Sequence, residues 1–333
     1  LKILAWNYSY LEEIVSLWNR ELGSDFPMKK TLFKQNSFQD QNVCPDASLI
    51  ALDNGNVIGF IVAKIWQEKL PVQMSETTGW IQVLLVDQSY RNKGIGTKLL
   101  SQAETVLFNR GVKQILLGRD PWHYFPGVPI NDERTKHWFA ARGYESYGTE
   151  HDLLQTYTRK NAITKPDLPE VEFSILDIEE KEDFLMFLNR CFPGRWEYEA
   201  MKYFELGGTG REFIVMKKYG QIIGFCRIND PQSPIIAQNV YWAPLFEASL
   251  GGVGPLGVDA AERGHGYGLT VVEAGIAELR KRGIQNIVID WTGLVDFYKK
   301  LGFDVWKSYE SFKKSIEEQV VKHEEESSRI PAK

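Results

Sequence analysis

Cysteine is scarce in this chain. The 333 residues contain three, Cys44, Cys191 and Cys226, and their odd number, wide spacing and lack of a C-x-x-C pair argue against a disulfide framework and against a zinc site. They read as reduced thiols in ordinary packing, with a cysteine nucleophile as the other reading. No metal is expected. Long apolar runs are missing too: no stretch approaches the roughly 18 residues that a membrane span needs, and no basic segment followed by an apolar signal core opens the chain. The expectation is a soluble, cytoplasmic protein, monomeric or homodimeric. Charge of one sign is not concentrated either. Lys and Arg number 39 against 44 Asp and Glu, a net charge of -5, and no basic stripe runs along the sequence to follow a phosphate backbone, so nucleic acid is not an expected partner.

What is present is repetition. The length predicts two domains, and 43% hydrophobic residues with 13% aromatics suffice for two cores. "VDQSYRNKGIG" (86–96) and "VDAAERGHGYG" (258–268) share Val-Asp, then an arginine five residues after the valine, then R-x-x-G-x-G. "GNVIGFIVAKI" from Gly55 recurs as "GQIIGFCRI" from Gly220, and "LWNRELGSDFPM" from Leu17 has an echo in "FLNRCFPGRW" from Phe187. "WFAARGY" (138–144) answers "FYKKLGF" (297–303). Four segments keep their order, which marks an internal duplication.

Periodicity through the first half predicts a strand over Leu1–Asn7, helices over Tyr10–Leu22 and Lys29–Phe38, and a hairpin at Asn54-Gly55. A strand over Trp80–Val86, a helix opening at Gly94, a strand over Gln114–Gly118, a helix over Thr135–Arg142 and a final strand pair to about Thr158 follow. The second half repeats the series from Glu172. The fold class is α+β: two tandem domains, each a mixed, mostly antiparallel sheet flanked by helices. Domains are expected at 1–160 and 161–312. "TRKNAITKPDLPEVE" (158–172), with two prolines and little periodicity, is the candidate linker, and 313–333 is expected to be a charged, partly helical and partly disordered tail, with a partner-binding tail as the other reading.

Both glycine runs sit between an apolar strand and an amphipathic helix. The first turn of a helix leaves backbone N–H groups without acceptors, and they point, with the positive end of the dipole, at whatever lies before it. Glycine removes the Cβ atoms that hold an anion away, so a pyrophosphate suits the position. A glycine turn of this kind also serves helix entry alone. Neither run ends in Gly-Lys-Ser/Thr as a Walker loop does, and neither has the G-x-G-x-x-G of a dinucleotide fold.

These motifs, "LLVDQSYRNKGIGTKLL" with "FAARGY" and "LGVDAAERGHGYGLTVV" with "FYKKLGF", resemble the GNAT superfamily of acyl-CoA-dependent N-acyltransferases, twice over, from residue 1 to roughly 312. The resemblance implies acetyl-CoA as cofactor. It implies that the backbone amides of Arg91, Asn92, Lys93, Gly94, Ile95, Gly96 and Thr97 cradle the pyrophosphate in one half. Arg263, Gly264, His265, Gly266, Tyr267, Gly268 and Leu269 do so in the other. It also implies that the strands Leu84, Leu85, Val86 and Leu256, Gly257, Val258 splay from their neighbours so that the pantetheine arm pairs with their backbone.

Acyl transfer from a thioester to an amine needs a proton removed from the amine, an oxyanion stabilised and a thiolate protonated. The family commonly meets the second need with a strand N–H, here near Val86 or Val258. Tyr298 stands four residues before Gly302, where the family's motif carries the thiolate's proton donor; the other reading is an aromatic that packs under the cofactor. The first half has Phe139 there, which cannot donate. Glu247, Asp290 and Asp296 are the candidate bases of the second half. From Gly96 to Gly143 is 47 residues and from Gly268 to Gly302 is 34. The excess lies in the loop 118–134, which reads either as a rigid surface loop that packs its own aromatics or as a pocket wall, where Arg119, Asp120, Trp122, His123 and Tyr124 are candidate contacts to a small-molecule amine. The expected function is acetyl transfer from acetyl-CoA to a primary amine by direct attack. The rival is a CoA-binding sensor or scaffold without turnover.

Overall fold

The computed structural model describes residues 1–158, 160–164 and 166–316. Its first half runs β1 (Lys2–Ala5), α1 (Leu11–Leu22), α2 (Lys30–Ser37), β2 (Leu49–Asp53), β3 (Asn56–Ile65), β4 (Thr78–Val86), α3 (Ile95–Asn109), β5 (Gln114–Leu117), β6 (Val128–Pro129), α4 (Glu133–Ala140) and β7 (Glu145–Thr156). The second half runs β8 (Glu172–Ile175), α5 (Lys181–Cys191), α6 (Arg195–Glu205), β9 (Phe213–Lys218), β10 (Gln221–Asn229), β11 (Leu250–Val258), α7 (Tyr267–Lys281), β12 (Asn286–Thr292), α8 (Val295–Lys299) and β13 (Asp304–Ser315). No helix among the described residues is long and apolar enough to cross a membrane.

Local chemistry accounts for the main elements. Asn54-Gly55 and Tyr219-Gly220 join β2 to β3 and β9 to β10, with φ of 48° and 84° in the first turn and 51° and 77° in the second. Two successive residues at positive φ give the type I′ turn whose twist matches the strands it joins. In α1, Leu11, Ile14, Val15 and Trp18 are buried, the i, i+3, i+4, i+7 stripe of a helix lying on a sheet. α3 buries Ile95, Leu99, Leu100, Ala103 and Leu107. It returns the chain so that β5 runs parallel to β4.

The chain divides into two units. The first has the strand order β1-β2-β3-β4-β5-β13, with β4 and β5 the parallel pair and the rest of its strand pairs antiparallel. The second has β8-β9-β10-β11-β12-β7, with β11 and β12 parallel and the rest antiparallel. Leu99, Ala103 and Leu107 pack with Ile61, Ile81 and Ile115 in the first core, and Val271, Val272 and Leu279 with Ile228, Val253 and Ile287 in the second. Truncating a fully buried leucine such as Leu99 to alanine costs about 2–5 kcal/mol.

The expected domain limits change at the terminal strands. The final strand pair of the first half is one strand, β7, and its residues His151–Thr156 pair with β12 in the second unit. The first unit's β5 is instead partnered by Lys313–Ser315 of β13. An open sheet edge must be paired or covered, and each unit completes its sheet with the other half's terminal strand. The first residues of the expected tail are therefore strand, with Lys314 and Ile316 buried; 317–333 lie outside the described residues.

Candidate active site

Each unit has a gap where its parallel strands part. Thr78, Gly79, Trp80 and Ile81 pair with Gln114, Ile115, Leu116 and Leu117, and the Gly118 N–H donates to the Ile81 carbonyl at 2.8 Å. Beyond that, β4 keeps only its antiparallel partner, with Leu84, Leu85 and Val86 opposite Ile61, Phe60 and Gly59. In the second unit Leu250, Gly251 and Gly252 pair with Asn286, Ile287 and Val288. Leu256, Gly257 and Val258 pair only on the far side, with Cys226, Phe225 and Gly224. The edge facing each gap is free of ladder bonds among the described residues, which a ligand's amides can take up.

The shared Val-Asp and arginine build the turn at the head of each gap. Asp87 accepts from the Ser89 N–H at 2.8 Å and Asp259 from the Ala261 N–H at 3.0 Å. Arg91 Nε donates to the Val86 carbonyl at 2.9 Å, and Arg263 Nε to the Val258 carbonyl at 3.3 Å. The chain then enters α3 through Gly94 (φ 79°) and α7 through Gly266 (φ 77°), a conformation open to glycine at little cost. A Cβ added to Gly94, Gly264 or Gly266 meets nothing within 4 Å. The space before each helix is therefore open, and the N–H groups of Ile95, Gly96 and Thr97, or Tyr267 and Gly268, without backbone partners among the described residues, face it, whereas the Leu269 N–H, expected in the cradle, is taken by the Gly266 carbonyl at 3.1 Å. Asn92, at φ 61°, matches Gly264, at φ 91°. Arg142 Nη2 donates to Thr97 Oγ1 at 2.7 Å and the guanidinium covers the Trp138 ring at 3.7 Å; His265 stacks on Tyr267, and Lys93 lies over Tyr90. Both cradles fit the pyrophosphate that the motif predicts.

The reacting ends of the gaps differ. In the second unit a cavity of about 360 Å³ opens between β11 and β12, lined by Arg195, Trp196 and Glu199 of α6, Gly254, Pro255 and Leu256 of β11, Asp290 and Trp291 of β12, and Phe297 and Tyr298 of α8. A Cβ added to Gly254 lies 3.9 Å from Asp290 Oδ1, so this carboxylate faces β11 across the gap. Burial pushes the Asp290 carboxyl up to about 7, helped by the charges of Asp152 and Glu199 and opposed by Arg195. Burial likewise raises the Tyr298 hydroxyl, with the neighbouring Cys226 and Asp290 adding to the shift, so the phenol keeps its proton. Of the three candidate bases, Asp290 is in the cavity; Glu247 is exposed and outside it, and Asp296 is fully exposed beside Lys299.

In the first unit the matching positions carry other side chains. The strand register sets Gly118 against Asp290 and Arg119 against Trp291, and the latter two share positive φ, 67° and 45°. Gln82 matches Gly254, and Phe139, buried in the core, matches Tyr298. Gln82 is buried, donating from Nε2 to the Trp122 carbonyl at 2.9 Å and accepting at Oε1 from Ser37 at 2.7 Å. Tyr124 bonds the same Ser37 hydroxyl at 2.7 Å and packs against Trp18 and Phe33. Asp120 meets the buried Lys64 ammonium at 2.6 Å, and Asp40 meets it at 2.8 Å. A Cβ on Gly118 would stand 1.9 Å from the Phe125 carbonyl. The loop 118–134 thus turns inward. Asp120, Trp122, His123 and Tyr124, expected at a substrate, are buried in the unit's interior, and Arg119 reaches Ser311 at 2.7 Å and Glu150 at 3.4 Å. The loop's aromatics pack into the unit's interior, Tyr124 on Trp18 and Phe33 and Phe125 on Trp18 and Phe26.

Sequence reasoning overlooked Gly254, Arg195 and Glu199. Gly254 was findable by setting the two glycine runs in register, which puts a glycine opposite Gln82. Glu199 lies on the buried face of α6, four residues after Arg195, whose Nε donates to it at 2.7 Å; an i, i+4 ion pair reads from sequence as a solvated face.

The family model for "Acetyltransferase (GNAT) family" matches residues 11–124 and 181–303. Mycothiol acetyltransferase of Thermobispora bispora is 28% identical over 67% of this chain and 72% of its own length. N-alpha-acetyltransferase 30 of Schizosaccharomyces pombe is 31% identical over 34% of this chain and 70% of its own. Among solved structures, a GCN5-related glucosamine N-acetyltransferase region in a fungal multi-domain GH3 β-N-acetylglucosaminidase superposes with a TM-score of 0.83 at 25% identity. That match covers 94% of this chain and 38% of the fungal one.

Proposed function

The chain belongs to the GNAT acetyltransferase family and is an N-acetyltransferase, and from that premise we propose that its second unit moves acetyl from acetyl-CoA to the primary amine of a small amino sugar. The observation that carries the choice of unit is the cavity at the β11–β12 gap, where Asp290 and Tyr298 line one space. The similarity to the glucosamine N-acetyltransferase region supports the acceptor class. So does the cavity itself, with the carboxylates Glu199 and Asp290 for a cationic amine and the rings of Trp196 and Trp291 for the apolar faces of a sugar.

Arg263 to Gly268 would hold the pyrophosphate, and the free edge of Leu256–Val258 the pantetheine arm. When bound, acetyl-CoA supplies the activated acyl group. Asp290, poised near neutral pH, takes a proton from the acceptor's ammonium and leaves a lone pair on nitrogen. Tyr298 gives its proton to the departing sulfur, and the proton that nitrogen sheds as the amide forms replaces it through solvent. Pro255 and Phe297 keep the space apolar, so the carboxylate and the phenol act with little screening.

A second reading applies to the first unit, which keeps an open glycine cradle but fills its gap with Gln82, Trp122 and Tyr124. We infer binding without transfer there, the sensor alternative confined to one half. The test of the whole is release of free CoA thiol on mixing the protein with acetyl-CoA and, separately, glucosamine, an amino acid, a polyamine and an aminoglycoside. Turnover with glucosamine supports the acceptor class; turnover confined to another amine replaces it, and no turnover with any leaves the sensor reading.

A further inference from the structure

Glu199 is an unusual residue to find on α6. Its side chain is 5% exposed, and behind it on β10 lies Arg227, 2% exposed, with the guanidinium over the rings of Tyr203 and Phe213. Arg195 Nε donates to Glu199 Oε1 at 2.7 Å, whereas Glu199 Oε2 stands 3.6 Å from Arg227 Nη1, an ion pair too long for a hydrogen bond. Arg227 Nε and Nη2 have no hydrogen-bond partner among the described residues. Burying the Arg227 guanidinium beside this carboxylate costs more than packing apolar side chains of the same volume, and its geometry with Glu199 falls short of a hydrogen bond. What the arrangement does provide is a carboxylate on the cavity wall with one oxygen, Oε2, that among the described residues meets only the Arg227 guanidinium, at 3.6 Å. Asp290, Trp291 and Gly254 line the same space, and the Arg195 guanidinium is drawn aside over the Trp291 ring at 4.5 Å.

We propose that Glu199 is the specificity-determining residue for the acceptor: its Oε2 docks the substrate's ammonium group beside Asp290, and Arg227 is the positioning residue that holds the carboxylate at the wall. This rests on the reading of the second unit as the transferring one. The division of labour is that Glu199, held by Arg195, binds the cation, while Asp290 takes the proton. A charge-assisted hydrogen bond of this kind accounts for about 1.5–3 kcal/mol, roughly 10- to 100-fold in affinity.

The experiment compares glucosamine, which is cationic, with its product N-acetylglucosamine, which is neutral and fills the same space. In Glu199→Gln the KM for glucosamine is expected to rise by about 10- to 100-fold, with the inhibition constant of N-acetylglucosamine and the KM for acetyl-CoA within about twofold of wild type. Equal weakening of amine and amide would mean that Glu199 only supports the fold of α6, and an unchanged glucosamine KM would mean that it touches no amine; either overturns the proposal. Should Glu199→Gln fail to fold, Glu199→Asp keeps the charge and withdraws it from the wall, and is expected to show the same selective loss in smaller measure. Arg227→Met is expected to weaken glucosamine selectively, with Arg227→Lys restoring most of the loss. A wild type that ignores glucosamine but acetylates another cationic amine revises the acceptor alone; the same comparison, made with that amine and its acetamide, then supports or overturns the role of Glu199.

Discussion

A Cβ placed on Gly254 would lie 3.9 Å from Asp290 Oδ1, so the strand that lines one side of the gap carries no side chain where the carboxylate of the other side faces it. That vacancy gives the base its access. Asp290→Asn is expected to lower kcat by about 10²–10⁴-fold, the usual contribution of a positioned proton acceptor. Because burial raises this carboxyl to about 7, wild-type kcat/KM is expected to climb through neutrality with a limb near that value, and the variant to lack the limb. A pH–rate profile that keeps the limb in Asp290→Asn assigns the base elsewhere.

The same carboxyl makes a stability prediction of opposite flavour. Its folded value lies above the unfolded 3.8, so between the two the folded protein holds a proton that the unfolded chain has released. The stabilisation is complete below the lower value and is lost as pH rises through the upper one. Asp290→Asn is therefore expected to melt higher than wild type at pH 8 and to lose that advantage at pH 4, read by thermal denaturation at the two pH values.

Tyr298→Phe imports the residue that the first unit already has at Phe139. The phenol lies buried in the cavity wall and keeps its proton across the working range. We expect kcat to fall about 10- to 100-fold, within the range of lost acid catalysis, with the KM for acetyl-CoA unchanged because the ring is retained. A fall confined to KM would make Tyr298 a packing residue.

Gly266 holds φ 77° with open space where its Cβ would be, so a bulky side chain there lies across the helix entrance. Gly266→Trp is expected to abolish transfer and to remove one equivalent of acetyl-CoA in a calorimetric titration of a folded protein; the strained backbone adds about 1–2 kcal/mol of instability. Gly94→Trp, at φ 79°, tests the other cradle, where loss of one equivalent marks a second binding site. Retained turnover in Gly266→Trp would place the chemistry outside the second unit.

These residues also show what the sequence could convey. The paired glycine runs, the hairpin at Asn54-Gly55 and the Tyr298–Gly302 spacing are local, each set by a backbone angle or a helix end that a few neighbouring residues dictate. The exchange of β7 and β13 was not legible, because alternation reveals a strand without naming its neighbour in the sheet. The inward turn of 118–134 was hidden for a related reason. Trp122 and Tyr124 look like ligand contacts until Ser37, Gln82 and Trp18, distant in sequence, are found against them. Glu199 stayed invisible because its partner Arg227 comes from another element.

Lys64 provides the test of how firmly the first unit's gap is sealed. Its ammonium is fully buried, 2.6 Å from Asp120 on the inward loop and 2.8 Å from Asp40. Burial alone would depress this lysine, yet the charges of Asp120 and Asp40 win and raise it above the ordinary 10.5. A raised lysine contributes stability that is complete below the unfolded value and disappears as pH climbs through the folded one. The melting temperature of wild type is therefore expected to hold its Lys64 contribution up to about pH 10 and to drop beyond it. Lys64→Met strands two buried carboxylates and should cost about 3–5 kcal/mol at pH 7, whereas the triple change Lys64→Met, Asp40→Asn, Asp120→Asn leaves no buried charge and should recover part of that loss. If the single and triple variants unfold at the same denaturant concentration, the charge cluster is not what holds the loop, and the seal rests on Gln82, Trp122 and Tyr124 alone.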